Sequence, residues 1–289
     1  EVDVLSSDAV RLRDGMRVEL LRWLTFRIML GAGLIKLRGD ACWRELTCLI
    51  THYETQPNPS PLSWVFHQMP PWAHTIGVLF NHFVEIVCPV FVLGPRWMRR
   101  VAGGFFVAFQ AILIASGNLS FLNWLTIVPA LACFDDALLL RVLPSRFRER
   151  LGSSTRETTT SAWHRRIALG YAAVVGVLSV GPVLNLVSSR QAMNASFDPL
   201  HLVNTYGAFG TVSRVRDEIV IEGTQADSPE APDSEWKAYE LPCKPGDVTR
   251  RPCLISPYHE RLDWQMWFAA MSTVDEEPWM ATLVSKLLE

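Results

Sequence analysis

Long apolar segments separated by arginine-rich segments constrain the fold of this chain more than any other feature of its sequence. The clearest one runs from Ile76 to Gly94, and a helix needs about 20 residues to cross a bilayer. Comparable segments occupy Val101–Ser116, Leu119–Leu140 and Ile167–Val187. Hydrophobic residues make up 49% of the chain and the mean hydropathy is +0.16, which favours a membrane protein over a large soluble domain. The net charge of −2 provides no basic excess, so nucleic-acid binding is not expected.

A further apolar segment, Trp23–Leu37, is a weaker candidate because it contains Arg27. An arginine in a membrane helix is costly unless it pairs with a polar group or its side chain reaches the interface. With this segment included, the sequence predicts a mainly α fold: a multi-pass membrane helix bundle followed by a small C-terminal β-containing domain.

The orientation of the helices follows from the distribution of arginine, because lysine and arginine in short loops favour the cytoplasmic side. Val10–Arg22, Pro95–Arg100 and Arg141–Arg166 are the basic segments, and two predicted crossings separate each from the next. One topology places all of them on the cytoplasmic side. The predicted domains are a basic cytoplasmic segment at residues 1–22, a membrane bundle at 23–188 with a non-cytoplasmic loop 38–75 and a cytoplasmic loop 141–166, and a non-cytoplasmic domain at 189–289.

The segment after Ser188 has a different pattern. Val212–Ile221 and Trp236–Leu241 contain β-branched or aromatic residues in mostly alternating order, which predicts strands. The run His259–Met271 is amphipathic and rich in tryptophan. Packing of this helix on the sheet is the default interpretation, while a place at the membrane interface or against a partner protein stays open.

Four cysteines fall in the segments predicted to be non-cytoplasmic: Cys42, Cys48, Cys243 and Cys253. An even number on an oxidising side is what disulfides require. Cys243 and Cys253 are the first candidate pair, across a short loop that contains proline and glycine. Cys42 with Cys48, or a link between the two segments, is a second possibility, and free buried thiols are the alternative.

Polar residues inside the apolar segments suggest either interhelical hydrogen bonds or a functional site. Asn81, His82 and Glu85 are spaced to share one helical face, which must point into protein. Such residues are by default candidates for proton transfer or ligand binding, although hydrogen bonds that hold the bundle together are the favoured interpretation. The whole candidate cluster, functional or structural, consists of Arg38, Asp40, Arg44, Glu45, His52, Glu54, Asn81, His82, Glu85 and Asn123.

Motifs of known enzyme classes are missing from the sequence. The histidines do not form HExxH, the cysteines do not form CxxC, and neither a phosphate-binding glycine-rich loop nor a GxSxG turn occurs. The sequence therefore predicts no catalytic residue, no cofactor and no metal site.

Six long stretches of the sequence resemble the lipase maturation factors. They occur in the order of that family and cover most of the chain. The stretches are GAGLIKLRGDACWRELTC (Gly31–Cys48), HYETQPNPSPLSW (His52–Trp64), LFNHFVE (Leu79–Glu85), SGNLSFLNWLTIVPALACFDD (Ser116–Asp136), NTYGAFG (Asn204–Gly210) and RRPCLISPYHERLDWQMWFAAM (Arg250–Met271).

The resemblance implies a multi-pass protein of the endoplasmic reticulum membrane that assists folding, assembly and secretion of dimeric lipases such as lipoprotein lipase. It implies a non-enzymatic factor whose non-cytoplasmic segments are luminal, with secreted lipases as clients and luminal redox or chaperone proteins as further candidate partners. Members of the family extend beyond the equivalent of Glu289, so a missing C-terminal portion is expected. A bacterial source would instead place the chain in the plasma membrane. The rival hypothesis is a membrane-embedded enzyme or transporter that uses an intramembrane polar set of His82, Glu85 and Asn81 together with the loop Arg38–Glu54. A structural scaffold is the third possibility.

Overall fold

A computed structural model of the protein describes residues 2–135, 138, 141–142, 144–145, 162–231 and 234–289. Within these residues, three helices are long and apolar enough to cross a membrane: Pro71–Val92, Arg96–Ser116 and Arg165–Val187. The prediction of a mainly α membrane protein is confirmed. The predicted cytoplasmic loop 141–166 and Asp136 lie largely outside the described residues.

The structure divides into two compact units. Unit 1 comprises Glu1–Thr47, Thr75–Gln110 and Leu125–Thr211, and unit 2 comprises Cys48–His74, Ala111–Trp124 and Val212–Glu289.

Helix α1, Val2–Arg38, is the element around which unit 1 packs. It contacts the short helix α2, Ala41–Arg44, and the middle and end of the span Pro71–Val92. Trp23–Leu37, expected to form a crossing by itself, is the second half of this longer helix and is not among the three spans. Charged residues within it, including Arg27 and Lys36, interrupt its apolar sequence.

In unit 2, helices α3, Leu49–Thr55, and α4, Pro61–His67, precede the first span. That span consists of α5, Pro71–His82, a π-helical turn, Phe83–Val87, and α6, Cys88–Val92. The π-helical turn comes immediately before the turn that contains Pro89. In a regular α-helix the proline ring would collide with the carbonyl of the residue four positions earlier, which is Glu85. The wider turn therefore occurs where the sequence opposes regular α-helix.

Helix α7, Arg96–Ser116, forms the second span, and α8, Leu122–Ala130, follows it and continues as a 3₁₀ turn, Leu131–Cys133. The predicted crossing Leu119–Leu140 is wrong in its extent within the described residues, because this apolar helix is shorter than a bilayer span. Pro129 near its end lacks the N–H that would continue the α-helical pattern.

The third span contains α9, Ala162–Leu178, and α10, Val180–Val187. Both helices contact α1 in unit 1.

Unit 2 contains a sheet of two antiparallel strands, β1, Glu222–Gly223, and β2, Lys237–Ala238. The predicted strand Val212–Ile221 is wrong, since β1 begins only after it, whereas Trp236–Leu241 does contain β2. The physical reason is Arg216, whose guanidinium donates to the carbonyls of Glu54, Gln56 and Pro57. Side-chain hydrogen bonds therefore hold this segment in place of a strand ladder.

Helices α11, Arg261–Ala269, and α12, Pro278–Leu287, end the chain, with a 3₁₀ turn, Val274–Glu276, between them. Met266 and Ala269 of α11 are buried, so this tryptophan-rich helix packs into the core of unit 2. Its Trp267 Nε1 also donates to the carbonyl of Thr55, at 2.9 Å.

Candidate functional site

A closed polar cluster lies inside unit 1 and is formed by Lys36, Glu85 and Asn81. Lys36 Nζ lies 2.7 Å from both carboxylate oxygens of Glu85 and donates to Asn81 Oδ1 at 3.0 Å. Asn81 Nδ2 in turn donates to Glu85 Oε2 at 2.9 Å. The residues are only 4–7% exposed. Because each group has a partner, the cluster satisfies the condition under which charges can be buried.

The backbone brings the two charged residues together by close packing of α1 against the π-helical turn that carries Glu85. Gly33 lies one turn before Lys36, and a Cβ atom placed on it would lie 2.9 Å from both Glu85 Cβ and Glu85 O. Only glycine permits this approach. The sequence therefore places a glycine where the two helices need to be nearest.

Trp43 covers one side of the cluster. Lys36 Nζ lies 5.1 Å from the centroid of the Trp43 ring, a distance suited to a cation–π interaction. The indole Nε1 donates to the carbonyl of Phe209 at 2.8 Å, which fixes the ring. His82 Nε2 lies 3.0 Å from the carbonyl of Trp43. His82 therefore contacts the backbone of α2 and is not part of the Lys36–Glu85–Asn81 cluster.

Arg27 has a separate set of partners in unit 1. Its Nη1 donates to the carbonyl of Asn204 at 2.7 Å, and its guanidinium lies 5.7 Å from the ring centroid of Trp23 and 5.8 Å from that of Tyr206. The side chain is buried. These contacts show how an arginine is accommodated in an apolar helix.

Arg38 binds the segment that follows the third span. Its Nη1 donates to Gln191 Oε1 at 2.6 Å, and Gln191 Nε2 donates to the carbonyl of Gly31 at 2.9 Å. A pair of side chains therefore connects the C-terminal end of α1 to residues 189–211.

The remaining candidates of the loop in unit 1 bind mainly backbone. Asp40 Oδ1 accepts a hydrogen bond from the N–H of Cys42 at 3.1 Å and so caps α2, while the Asp40 N–H donates to the carbonyl of Gly210 at 2.9 Å. Arg44 donates to two carbonyls at and just after the end of α1. Glu45 is exposed. This part of the loop is thus held by caps and backbone contacts.

In unit 2, His52 and Tyr53 are buried and their rings meet edge to face at 5.6 Å. The Tyr53 ring also lies 5.8 Å from that of His74. Burial raises the pKa of Tyr53 to about 12, so its hydroxyl is neutral at physiological pH. Glu54 is exposed, with Oε2 3.6 Å from His67 Nε2.

A second polar cluster, which the sequence did not single out, lies at the end of α7. Gln56 Nε2 donates to the carbonyl of Ser116 at 2.9 Å, and Ser63 Oγ donates to the same carbonyl at 2.7 Å. Ser60 Oγ donates to the carbonyl of Ala115 at 3.0 Å. The last carbonyls of a helix lack intrahelical donors, and these side chains supply them. We call Gln56, Ser60 and Ser63 the α7 cap.

Asn118, just after α7, connects its own segment of unit 2 to the other two segments of that unit. Its Nδ2 donates to the carbonyls of Pro59 at 3.1 Å and Cys253 at 2.8 Å, and its Oδ1 accepts from the N–H of Ile255 at 3.1 Å. Asn123, the last of the sequence candidates, is buried in the same unit. Asn118 is therefore the residue that fixes the disulfide loop against the segment before α4.

Cys243 and Cys253 form a disulfide, with Cα atoms 5.4 Å apart. Cys42 and Cys48 each take part in a disulfide as well. The free cysteines among the described residues, both buried, are Cys88 and Cys133. Across the same residues, no group of three or more His, Cys, Asp or Glu side chains is arranged to hold a metal ion.

Asn81 and Glu85 are among the residues predicted from the sequence, whereas Lys36, their cationic partner, is not. A signal was available: a lysine near the end of one apolar segment and a glutamate inside another are each costly alone and predict a pair. The α7 cap had no comparable signal, because serine and glutamine are common in any polar loop.

The fold and these clusters define a class: a helical membrane protein with paired charges inside its transmembrane part and disulfides outside the three spans. Two family models match the chain, "Lipase maturation factor transmembrane domain" at residues 5–141 and "Lipase maturation factor C-terminal domain" at residues 202–289. Together they match more than half of it, and the chain belongs to the lipase maturation factor family. The resemblance seen in the sequence is confirmed.

Individual relatives agree with the family models. The chain is 53% identical over 279 residues to "Lipase maturation factor 1" of Bos taurus, covering 92% of this chain and 50% of the relative. It is 50% identical over 278 residues to the protein of the same name from Homo sapiens, covering 92% and 49%. With "Lipase maturation factor 2" of Homo sapiens the identity is 27% over 368 residues, covering 93% and 51%. The chain thus spans about half the length of the curated relatives it matches. No solved structure matches it.

Proposed function

We propose that this chain is part of a membrane factor that assists the folding, assembly and secretion of dimeric lipases such as lipoprotein lipase. The observation that carries the proposal is the identity of at least 50% over 92% of the chain to relatives named lipase maturation factor 1. The factor acts as a binding and folding partner of its client and catalyses no covalent reaction.

We place the protein in the endoplasmic reticulum membrane, with the loop 38–75 and the tail after Ser188 in the lumen. The two ends of α7 support this orientation. Its first residues include Arg96, Arg99 and Arg100, which favour the cytoplasmic side. Its last carbonyls bind the α7 cap, which belongs to the loop 38–75.

The disulfides support the same orientation. Asn118, two residues after the end of α7, binds the carbonyl of Cys253, so the loop of the Cys243–Cys253 disulfide is held beside that end of the helix. Disulfides persist in oxidising compartments such as the lumen of the endoplasmic reticulum. With the apolar segment that begins at Leu122 proposed as a further, shorter crossing, four crossings separate the loop 38–75 from the tail after Ser188, and one topology accounts for the arginines, the α7 cap and the disulfide.

The Lys36–Glu85–Asn81 cluster has a structural role in this proposal: it holds α1 against the first span. A membrane-embedded enzyme or transporter would need one of these groups to change partner or protonation state during turnover. The close mutual pairing of the three side chains supports the structural role.

The test uses cells that lack the natural full-length factor and express a secreted dimeric lipase. Restoring the full-length protein is expected to raise the secreted lipase activity per lipase molecule. A secreted disulfide-bonded protein that is not a lipase, expressed in the same cells, is the control and should not change. Equal lipase activity with and without the factor would contradict the proposal.

A further inference from the structure

Helix α4, Pro61–His67, shows the reverse of the usual burial pattern. The side chain of Ser63 is buried, whereas three apolar side chains of the same short helix are exposed: Leu62 by 47%, Trp64 by 67% and Val65 by 52%. A helix on the surface of a soluble domain buries its apolar face and exposes its polar one. Both the burial of the polar face of α4 and the exposure of its apolar face therefore require a physical explanation.

The buried polar face has its reason in α7. Ser63 Oγ accepts from the N–H of Ser60 at 2.7 Å and from Gln56 Nε2 at 2.9 Å, and it donates to the carbonyl of Ser116. The six side-chain contacts of the α7 cap, to Ala115 and Ser116 or within the cap itself, are 2.7–3.2 Å long. The polar side of α4 is therefore used to satisfy the end of a membrane-spanning helix.

The same contacts fix the depth of α4 relative to the membrane. Since Arg96–Ser116 is a span, its last residues lie where it leaves the hydrocarbon layer. A helix bound to the carbonyls of Ala115 and Ser116 must lie at that level. A second constraint is the length of the connection, because only three residues separate the end of α4 from Pro71, where the span Pro71–Val92 begins.

Other exposed apolar side chains come from the sequence around these two helix ends. Trp72 is the second residue of the first span, and Phe121 and Leu122 follow α7. Tryptophan is enriched at membrane–water interfaces, where its ring lies at head-group level and its N–H stays hydrated. The chemistry of the exposed residues thus agrees with the depth that the hydrogen bonds assign.

We infer that α4 lies in the plane of the bilayer interface, with Leu62, Trp64 and Val65 inserted among the lipid head groups and upper acyl chains. The partner of this surface is the lipid bilayer itself. Interfacial helices insert their apolar face by about 5–10 Å. In this arrangement the apolar face contacts lipid and the polar face caps α7, which explains why the usual order of burial is reversed. The inference does not depend on the proposed function.

Three exposed valines provide a matched test. Val65 lies on α4, Val177 lies in the third span, and Val248 in unit 2 is 98% exposed. Each is replaced singly in the full-length protein, as Val65→Cys, Val177→Cys or Val248→Cys, and labelled with an environment-sensitive fluorophore in phosphatidylcholine nanodiscs. The unsubstituted protein, labelled in parallel, corrects for reaction at Cys88 and Cys133.

The probe at position 65 is expected to be shielded from aqueous iodide and quenched most strongly by lipids with a nitroxide close to the head group. The probe at 177 should be quenched best by nitroxides deeper in the chain, and the probe at 248 by iodide alone. Iodide quenching at 65 equal to that at 248 would overturn the inference. Shielding from iodide without quenching by any lipid would also overturn it, because protein would then cover α4. Leu62→Cys must give the same result as Val65→Cys.

Discussion

Lys36 illustrates how a charged residue is retained in an apolar helix. The ammonium group is surrounded by a carboxylate, an amide oxygen and an indole ring, and these groups replace the water that it loses on burial. Burying two charges gains little net stability, but removing one of them leaves the other without compensation. The pair therefore adds little net stability. Its main effect is that α1 must pack with Lys36 next to Glu85.

This asymmetry gives the first prediction. Lys36→Met should lower the free energy of unfolding by about 3–5 kcal/mol, because Glu85 is then buried without a cation. The double variant Lys36→Met/Glu85→Met should be less destabilised than the single one, since no charge is left unpaired. Unfolding in mixed micelles measures both. Lys286→Met, on exposed residue 286, is the control and should change stability by less than about 0.5 kcal/mol. A Lys36→Met effect as small as that of the control would contradict the burial of the pair.

Asp198 gives a prediction on pH. Backbone N–H groups of Leu202, Val203 and Leu200 donate to its carboxylate and lower its pKa, with Leu202 and Val203 as the larger causes. A lowered folded-state pKa stabilises the fold fully above the ordinary aspartate value, about 3.9, and this stabilisation is lost as the pH falls through the lowered value. Asp198→Asn should therefore lose stability at neutral pH and show a smaller fall on acidification.

The measurement for Asp198 is the thermal midpoint of the purified protein between neutral and acidic pH. The difference between the natural protein and Asp198→Asn should shrink at the acidic end, whereas Asp217→Asn, on an exposed carboxylate, should follow the natural protein throughout. A constant difference at every pH would show that the hydrogen bonds to Asp198 do not depend on its charge.

At the scale of elements, the packing of α1 against the first span depends on small residues as much as on charge. Gly33 meets the π-helical turn so closely that any side chain would displace it. Gly104, on α7, has open space around it. These glycines have similar helical surroundings in sequence but opposite roles in packing.

Gly33→Ala should therefore lower the free energy of unfolding by about 1–3 kcal/mol, as overpacking does in a close-packed interface. Gly104→Ala should leave it within about 1 kcal/mol of the natural value, because alanine is the better helix former and meets nothing. Unfolding curves of both variants, recorded in the same micelles, measure these free energies of unfolding. Equal effects of the two substitutions would contradict the close approach of α1 to Glu85.

The elements also show what could be predicted from sequence. The apolar runs at 76–94, 101–116 and 167–187 were sufficient to find the three spans, because length and hydropathy are local properties. Val212–Ile221 was read as a strand from its alternation, but the contacts of Arg216 with distant carbonyls decide its structure. Such long-range hydrogen bonds leave no periodic pattern in a sequence.

The candidate site, too, could be predicted from the sequence only in part. Asn81 and Glu85 could be predicted as site residues from the free-energy cost of placing polar groups in an apolar helix, since such groups need partners. Which residue is the partner depends on how α1 packs, and so Lys36 was missed. The α7 cap was not predictable either, because nothing in a run of serine and proline reveals which carbonyls it will satisfy.

At the scale of the whole molecule, several features agree on the two sides of the membrane. Arginines begin α7, while the α7 cap and the loop closed by Cys243–Cys253 lie at its other end. The paired charges Lys36 and Glu85 connect α1 to the first span. In the proposed function the polar cluster maintains the fold, and a separate luminal surface meets the client.

The most direct test of this separation is secreted lipase activity per molecule of folded factor, measured in factor-deficient cells. The cells receive either the natural full-length protein or its Lys36→Met/Glu85→Met variant, and folded factor is counted as the protease-resistant, membrane-inserted fraction. The account predicts the same activity per folded molecule for both, with any loss matching a loss of folded protein. Normal amounts of folded variant with no active lipase would contradict it and assign the cluster a chemical role.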